Sequence, residues 1–219
     1  MKTRGALFAV AVALLTCTIG RAQAKLPPVI PIFPLEVAML FPGVSRPLYI
    51  FEPRYRAMVA DALKGDRIIG MATLKPGYEA DYGGRPPIYD IGCAGVITDV
   101  EDLSGGRYNI TLQGIAKFRV TGEDQSRPYR LANVETISED LNADEKAALH
   151  KERERLEVLV TKGGDSKVPP GTEDEYLVNM VAQYLQMERA RRQELLEMNV
   201  LLRSRALIDA IESATTQPR

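Results

Sequence analysis

The stretch Pro47-Leu-Tyr-Ile-Phe-Glu-Pro-Arg-Tyr-Arg56, continued by AMVADALKG at residues 57–65, carries the change of pattern that sets the fold. Pro47–Phe51 is an apolar, strand-like run opened by a proline. Prolines suit strand starts and sheet edges, because they bring no donor to the ladder. Pro53 then stands at the first position of a helix running to Lys64, where its missing N–H costs nothing. Tyr55, Met58, Val59, Ala62 and Leu63 recur at helical spacing on one face, and Gly65 is placed to close the end. A strand that hands over to a short helix is thus expected inside a β-rich region.

The surrounding sequence agrees. Val29–Phe33 is a short strand between prolines, and strands are expected at Arg67–Leu74, Ile88–Val100, Arg107–Gln113, Ile115–Thr121 and Tyr129–Ile137. Tyr108, Ile110 and Leu112 alternate with Asn109 and Thr111, the period of a half-buried strand. Leu103-Ser104-Gly105-Gly106 supplies a hairpin turn. Residues 75–87 hold three prolines and three glycines and read as a long mobile loop. Several short strands with one embedded helix predict a small mixed barrel or pseudobarrel.

Beyond residue 141 the pattern becomes helical. Asn142 and Glu145 have capping-box spacing ahead of a charged helix to about Lys162, and Thr172 and Glu175 repeat that spacing ahead of a second helix. The second helix carries Leu177, Met180, Val181, Tyr184 and Leu185 on one face. A last helix is expected from about Arg191 to Ile211. Three amphipathic helices can form a small bundle against the barrel. His150, the one histidine, lies among Lys and Glu and reads as solvated. The expected division is residues 1–24, 25–138 for the β domain, 139–213 for the helical bundle, and a frayed tail at 214–219.

The chain opens with Lys2 and Arg4, an apolar run over residues 5–19, and Ala22-Gln23-Ala24. That is the pattern of a secretory signal peptide cleaved after Ala24. Leu14-Leu15-Thr16-Cys17 has the outline of a lipoprotein box, but Thr16 stands where Gly or Ala is wanted, so lipidation at Cys17 is the weaker reading. Cleavage takes away three cations and no acid, moving the formal charge from −1 to −4. A periplasmic or secreted product of that charge is a poor nucleic-acid binder, and no membrane contact is expected once the signal is gone. Only Cys93 then remains, within an apolar strand-like run, so no internal disulfide can form and a buried thiol is expected.

Several pieces, in order, resemble one family. They are Pro31-Ile-Phe-Pro-Leu35, Pro47–Arg56, Asp66-Arg67-Ile-Ile-Gly-Met71, Ile91-Gly-Cys-Ala-Gly95, Gly106-Arg-Tyr-Asn-Ile110 with Gly114-Ile-Ala-Lys-Phe-Arg-Val120, and Glu194-Leu-Leu-Glu197 with Arg203. Together they resemble the N-terminal, substrate-binding domain of the Lon protease family, over roughly residues 27–210. The resemblance implies an α+β chain: a PUA-like mixed β-barrel or pseudobarrel with an embedded helix, then a C-terminal helical bundle. It also implies recognition of polypeptide substrates. No Gly-x-x-x-x-Gly-Lys-[Ser/Thr] phosphate loop occurs in the sequence. The expectation is therefore a stand-alone binding module, without the ATPase and peptidase modules of the full protease.

Catalysis finds little support. One His and one mature Cys cannot build a His/Cys metal cluster. No Gly-x-Ser-x-Gly elbow occurs, and the carboxylates lie mostly in helical runs. No catalytic, cofactor-binding or metal residue is assigned, and no cofactor is expected. In the segment Phe51–Arg56, Phe51 and Tyr55 are candidates for holding an extended peptide. The alternative is a structural lock, with both rings in the core and Glu52 paired with a nearby arginine such as Arg119. The preferred binding elements are an exposed strand edge, which an extended chain can join through main-chain hydrogen bonds, and the 75–87 loop with Tyr78 and Tyr82.

The expected partners are unfolded or exposed polypeptide segments, with a protease as a further candidate, in a role in protein quality control. The alternatives are a dedicated protein–protein scaffold, a small-ligand or RNA-binding PUA-like module, and a carboxylate hydrolase. Scattered arginines and net negative charge count against RNA. Expressed in a Gram-negative host, the chain should be recovered from the periplasm with Lys25 as its first residue by intact-mass measurement. Recovery with the N-terminal segment attached would remove the export reading.

Overall fold

The structure is a computed structural model and describes residues 25–36, 39–78, 81–162 and 168–216. The expected signal peptide, with Ala24 and Cys17, lies outside the described residues. Six strands come first: β1 (Val29–Leu35), β2 (Ser45–Ile50), β3 (Ile68–Thr73), β4 (Ile91–Leu103), β5 (Arg107–Asp124) and β6 (Arg130–Ile137). Helix α1 (Pro53–Ala62) lies between β2 and β3. Four helices follow: α2 (Ala143–Lys162), α3 (Asp174–Tyr184), α4 (Arg189–Glu197) and α5 (Val200–Thr216).

The sheet runs β2-β5-β4-β3-β1-β6, and β6 pairs again with β5. The pairings β5–β4–β3–β1–β6–β5 therefore return on themselves, which is the expected pseudobarrel. Only β1 and β3 are parallel. The prolines of β1 fit because each is paired on one side alone. Pro31 faces Leu131 of β6, and Pro34 faces Ala72 of β3. Each ring without a donor thus meets one ladder instead of two.

The two strands expected at Arg107–Gln113 and Ile115–Thr121 are one strand, β5. Its register shifts by a residue against β4, where Ala94 faces Ala116 and Gly95 faces Gly114. The cause is a backbone crossing. Gly43 N–H donates to the Gly114 carbonyl (2.8 Å), and Gly114 N–H donates to the Val44 carbonyl (2.9 Å). A Cβ at Gly114 would stand 2.1 Å from the Phe41 oxygen, so only glycine lets these chains approach. The bulge bends β5, which can then serve β2 and β4 along one part and β6 along the other.

Local signals succeed and fail for physical reasons. The first capping box forms as expected: Asn142 Oδ1 accepts from Glu145 N–H and Glu145 Oε2 accepts from Asn142 N–H, both at 2.9 Å. The second does not. Thr172 Oγ1 donates to the Pro169 carbonyl at 2.7 Å, and the N-cap of α3 is Glu173. Gly65 does not close α1 in a left-handed turn. That role falls to Arg67 (φ 60°), whose N–H donates to the Ala62 carbonyl at 3.0 Å. Arg67 Nε in turn donates to the Ile97 carbonyl at 3.0 Å, tying the strained turn to β4. The single last helix is two helices. It breaks at Met198–Asn199, where Asn199 Oδ1 caps α5 by accepting from Leu202 N–H at 2.8 Å.

One apolar cluster runs through both halves, from Phe41, Met58 and Ile69 to Leu177, Leu196 and Leu207. A smaller one fills the pseudobarrel with Ile30, Ile32, Ala94, Ala116 and Phe118. Between sheet and helices lies a buried polar junction. Arg203 of α5 is 0% exposed and Lys117 of β5 is 2% exposed. Both reach Glu139 Oε1, at 2.9 and 3.2 Å. One carboxylate cannot balance two cations; the Glu175 carboxylate also acts on Arg203, and the C-terminal carbonyls of α4 accept hydrogen bonds from both cations. Arg203 Nε donates to Leu195 (2.8 Å), its Nη2 donates to Met198 (2.8 Å), and Lys117 Nζ donates to Met198 (2.7 Å). These are the oxygens a helix end leaves without partners, at the negative pole of its dipole. Arg203 also donates to Asn179 of α3 and lies over the Phe41 ring, 5.2 Å from its centroid.

The substitution Glu139→Gln keeps the shape and removes the carboxylate that Arg203 and Lys117 share. Two buried cations deprived of their shared ion-pair partner should cost about 3 kcal/mol. The urea midpoint should fall at unchanged m-value, and an unchanged midpoint would contradict this account.

Candidate functional site

β2 has a single strand neighbour, β5. Strand alternation sends Arg46, Leu48 and Ile50 inward and Ser45, Pro47, Tyr49 and Phe51 outward, and the outward set is exposed. Tyr49 is 49% and Phe51 57% exposed. Their rings stack with centroids 5.7 Å apart. Arg107 Nη1 donates to the Tyr49 hydroxyl at 3.0 Å and fixes that ring's outer end. At the other end of β2, the hydroxyl of exposed Tyr184 and the Gln183 amide both donate to the Ser45 carbonyl. The outcome is a strand edge beside a fixed aromatic shelf.

A cleft of about 210 Å³ opens next to it, past the start of α1. Arg54, Tyr55, Tyr82, Arg85, Tyr129 and Arg130 are among its walls. Arg54 organises one side. Its Nε donates to Glu52 Oε2 (3.1 Å), its Nη2 to the Tyr82 carbonyl (3.1 Å) and its Nη1 to the Gly84 carbonyl (3.3 Å). The same guanidinium lies over the Tyr55 and Tyr82 rings, at 4.5 and 5.2 Å. Arg130 donates to Glu123 and, at 2.7 Å, to the Pro86 carbonyl. Arg85 Nη2 donates to the Arg127 carbonyl at 2.8 Å.

The later part of the expected loop, residues 82–87, is hydrogen-bonded to the rest of the chain. Guanidiniums collect the carbonyls of residues 82, 83, 84 and 86, and Lys75 N–H donates to the Pro87 carbonyl at its base (2.9 Å). Composition alone shows only the Pro and Gly content, not the side chains that come from elsewhere in the chain.

The sequence-derived candidates separate into different environments. Phe51 is on the exposed shelf. Tyr55 is buried against Phe33, with ring centroids 4.5 Å apart, and reaches the cleft wall. Tyr82 is half-buried in that wall, its hydroxyl donating to Glu52 Oε1 at 3.2 Å. Tyr78 is exposed and is not among the residues lining the cleft. The Glu52–Arg119 pair is corrected: Glu52 holds Arg54 and Tyr82, while Arg119 is an exposed residue of β5 facing Ile91 and Glu135. The arginine two positions along the same turn reaches Glu52 first.

Tyr49, Arg54, Arg85, Tyr129 and Arg130 escaped the sequence reading. Tyr49 could have been found from the i, i+2 alternation with Phe51. Nothing local marks Arg85 and Arg130, which arrive from distant segments. Burial raises the titration of Tyr55 and Tyr82 and keeps both hydroxyls neutral. Burial also raises the Cys93 thiol, which is 0% exposed, so a reactive thiolate is disfavoured there. His150 is exposed, 3.0 Å from Asp174.

Comparisons with known proteins give the family and the fold. A family model described as the ATP-dependent protease La (LON) substrate-binding domain matches residues 29–211. Lon protease 2 of Myxococcus xanthus is 30% identical over 122 residues, covering 56% of this chain and 15% of that protein. Lon protease of Trichlorobacter lovleyi is 24% identical over 195 residues, covering 82% of this chain and 23% of that protein. The chain thus spans less than a quarter of the length of these relatives. The fold is similar to the N-terminal domain of Mycobacterium avium complex Lon protease, with a TM-score of 0.62 and 17% identity over 84% of this chain and 98% of that one.

Tyr129 offers a test of how the cleft wall is held. Its hydroxyl donates to Asp61 Oδ2 at 2.9 Å. Burial and this bond push its titration from the ordinary 10.0 up to about 12. A raised acid stabilises fully below the unfolded value, and that contribution is lost as pH rises through the folded one. Melting temperature should therefore fall between pH 10 and pH 12, and less steeply in Tyr129→Phe. Identical slopes would contradict the Tyr129–Asp61 bond.

Proposed function

Because the chain belongs to the family of ATP-dependent protease La (LON) substrate-binding domains, we propose that it is a non-enzymatic module that binds extended polypeptide segments along β2. The observation that carries this reading is the edge of β2 beside the stacked Tyr49 and Phe51. An edge strand offers main-chain donors and acceptors with little demand on sequence, and alternate side chains of the incoming strand fall beside the aromatic shelf. Aromatic rings supply large contact area at small entropic cost. This combination suits a binder of varied, unfolded chains.

The signal-like N-terminus supports action outside the cytosol, in the periplasm or as a secreted protein. There the module would take part in quality control, holding exposed segments itself or presenting them to a protease.

A fluorescein-labelled peptide of about ten residues, alternating Val and Ser, is a suitable probe. The double variant Tyr49→Ser/Phe51→Ser should bind it roughly tenfold more weakly by anisotropy. Both side chains are exposed, so the melting temperature should stay within a degree or so. Equal affinity of variant and wild type would overturn the β2 reading.

A further inference from the structure

The cleft beyond Phe51 is not needed to bind a strand along β2, and its chemistry differs from that of the shelf. Among the described residues its lining includes three guanidiniums, those of Arg54, Arg85 and Arg130, and no carboxylate. Two of the three have ionic partners behind the wall. Arg54 has Glu52 and Arg130 has Glu123. Arg85 is different: its hydrogen bonds go to the main-chain carbonyls of Asp124 and Arg127. Among the described residues no carboxylate lies within ion-pair distance of it. Carbonyl oxygens orient a guanidinium but do not neutralise it, and the Asp124 carboxylate acts on Arg85 only from beyond ion-pair distance.

From this we infer that the cleft receives a carboxylate carried by the polypeptide bound along β2. The inference rests on the proposed function and adds a chemical preference to it.

Size, position and rigidity agree. About 210 Å³ takes a single acidic side chain or a chain end, and it falls below the usual range for larger organic ligands. Phe51 ends the shelf, and Arg54, three residues on, begins the cleft wall. An extended chain advances about 3.3 Å per residue. A strand passing Phe51 therefore reaches the cleft within a few residues. The guanidiniums are already fixed by loop carbonyls, so little rotamer entropy is lost when a carboxylate arrives. The neutral hydroxyls of Tyr55 and Tyr82 add no repelling charge. The formal charge of the whole chain is −1, so an acidic preference would have to come from this local arrangement and not from the net field.

One carboxylate chemistry has two sources: an Asp or Glu side chain, or the C-terminus of the bound chain. Four labelled Val–Ser peptides separate them, with Glu or Gln near the end, each as free acid or amide. With wild-type protein, the neutral Gln amide should bind roughly tenfold more weakly than the best acidic peptide, the size of one charge-assisted hydrogen bond. If Glu tightens binding, the cleft reads side chains. If only the free acid does, it reads chain ends. The substitution Arg85→Gln should erase that difference while leaving the affinity for the neutral peptide unchanged.

Equal binding of all four peptides to the wild type would overturn the cleft inference and leave strand binding intact. Failure of every peptide to bind would overturn both. A loss of affinity for acidic and neutral peptides alike in Arg85→Gln would assign Arg85 to holding the loop, and would also count against the inference.

Discussion

A guanidinium without access to water joins the two halves of this protein. Arg203 sits on α5, yet its hydrogen bonds reach α3 through Asn179, the end of α4 through Leu195 and Met198, and the connection after β6 through Glu139. Lys117 of β5 meets it at the same carboxylate. Burying two cations is costly, and this arrangement is tolerable only because every element brings an acceptor to one place. The break between α4 and α5 is part of that condition. A continuous helix would consume the carbonyls of residues 195–198 in its own ladder, leaving Lys117 and Arg203 without them. The helical bundle is thus fixed to the sheet by hydrogen bonds of defined direction, and not by apolar contact alone.

That attachment decides which surfaces remain free. The bundle meets β2 at Ser45 and leaves the outward residues from Pro47 to Phe51 in water. On the other side of α1, arginines from three segments hold the loop against the barrel rim and define the cleft. The shelf is apolar and aromatic, and the cleft is lined with positive charge. They share the short segment from Phe51 to Arg54. The strand-to-helix junction therefore contributes to both surfaces, while Tyr55 and Met58 of the same helix enter the core.

Much of this was legible in the sequence where the signal is local. The alternation of Tyr108, Ile110 and Leu112, the turn at Gly105-Gly106 and the Asn142–Glu145 box each depend on a few adjacent residues. Family-like motifs in the right order gave the same α+β architecture. What stayed hidden depends on distant residues. Gly114 reads as a break between strands, and only the Phe41 backbone pressing on it shows a bulge within one strand. Glu52 was expected to pair with a nearby arginine such as Arg119, and Arg54 takes that place. Arg85 and Arg130 carry no pattern of their own, since the cleft exists only once the loop and β6 meet. Tyr49 was the one avoidable omission, because it shares the period of Phe51.

The ring of strands also sets an order of events. β1 is the first strand made, and one of its neighbours is β6, with Val29 opposite Asn133. A chain emerging from its N-terminus must hold β1 through the synthesis of nearly the whole barrel before that partner exists. Non-local pairing of this kind is slow, and a waiting edge invites the wrong neighbour. Pro31 lies in the stretch that pairs with β6 and Pro34 just beyond it, and neither brings a donor to the strand. The residues that look like a defect in the finished sheet thus act as a guard on the unfinished one, protecting β1 until β6 arrives to close the ring.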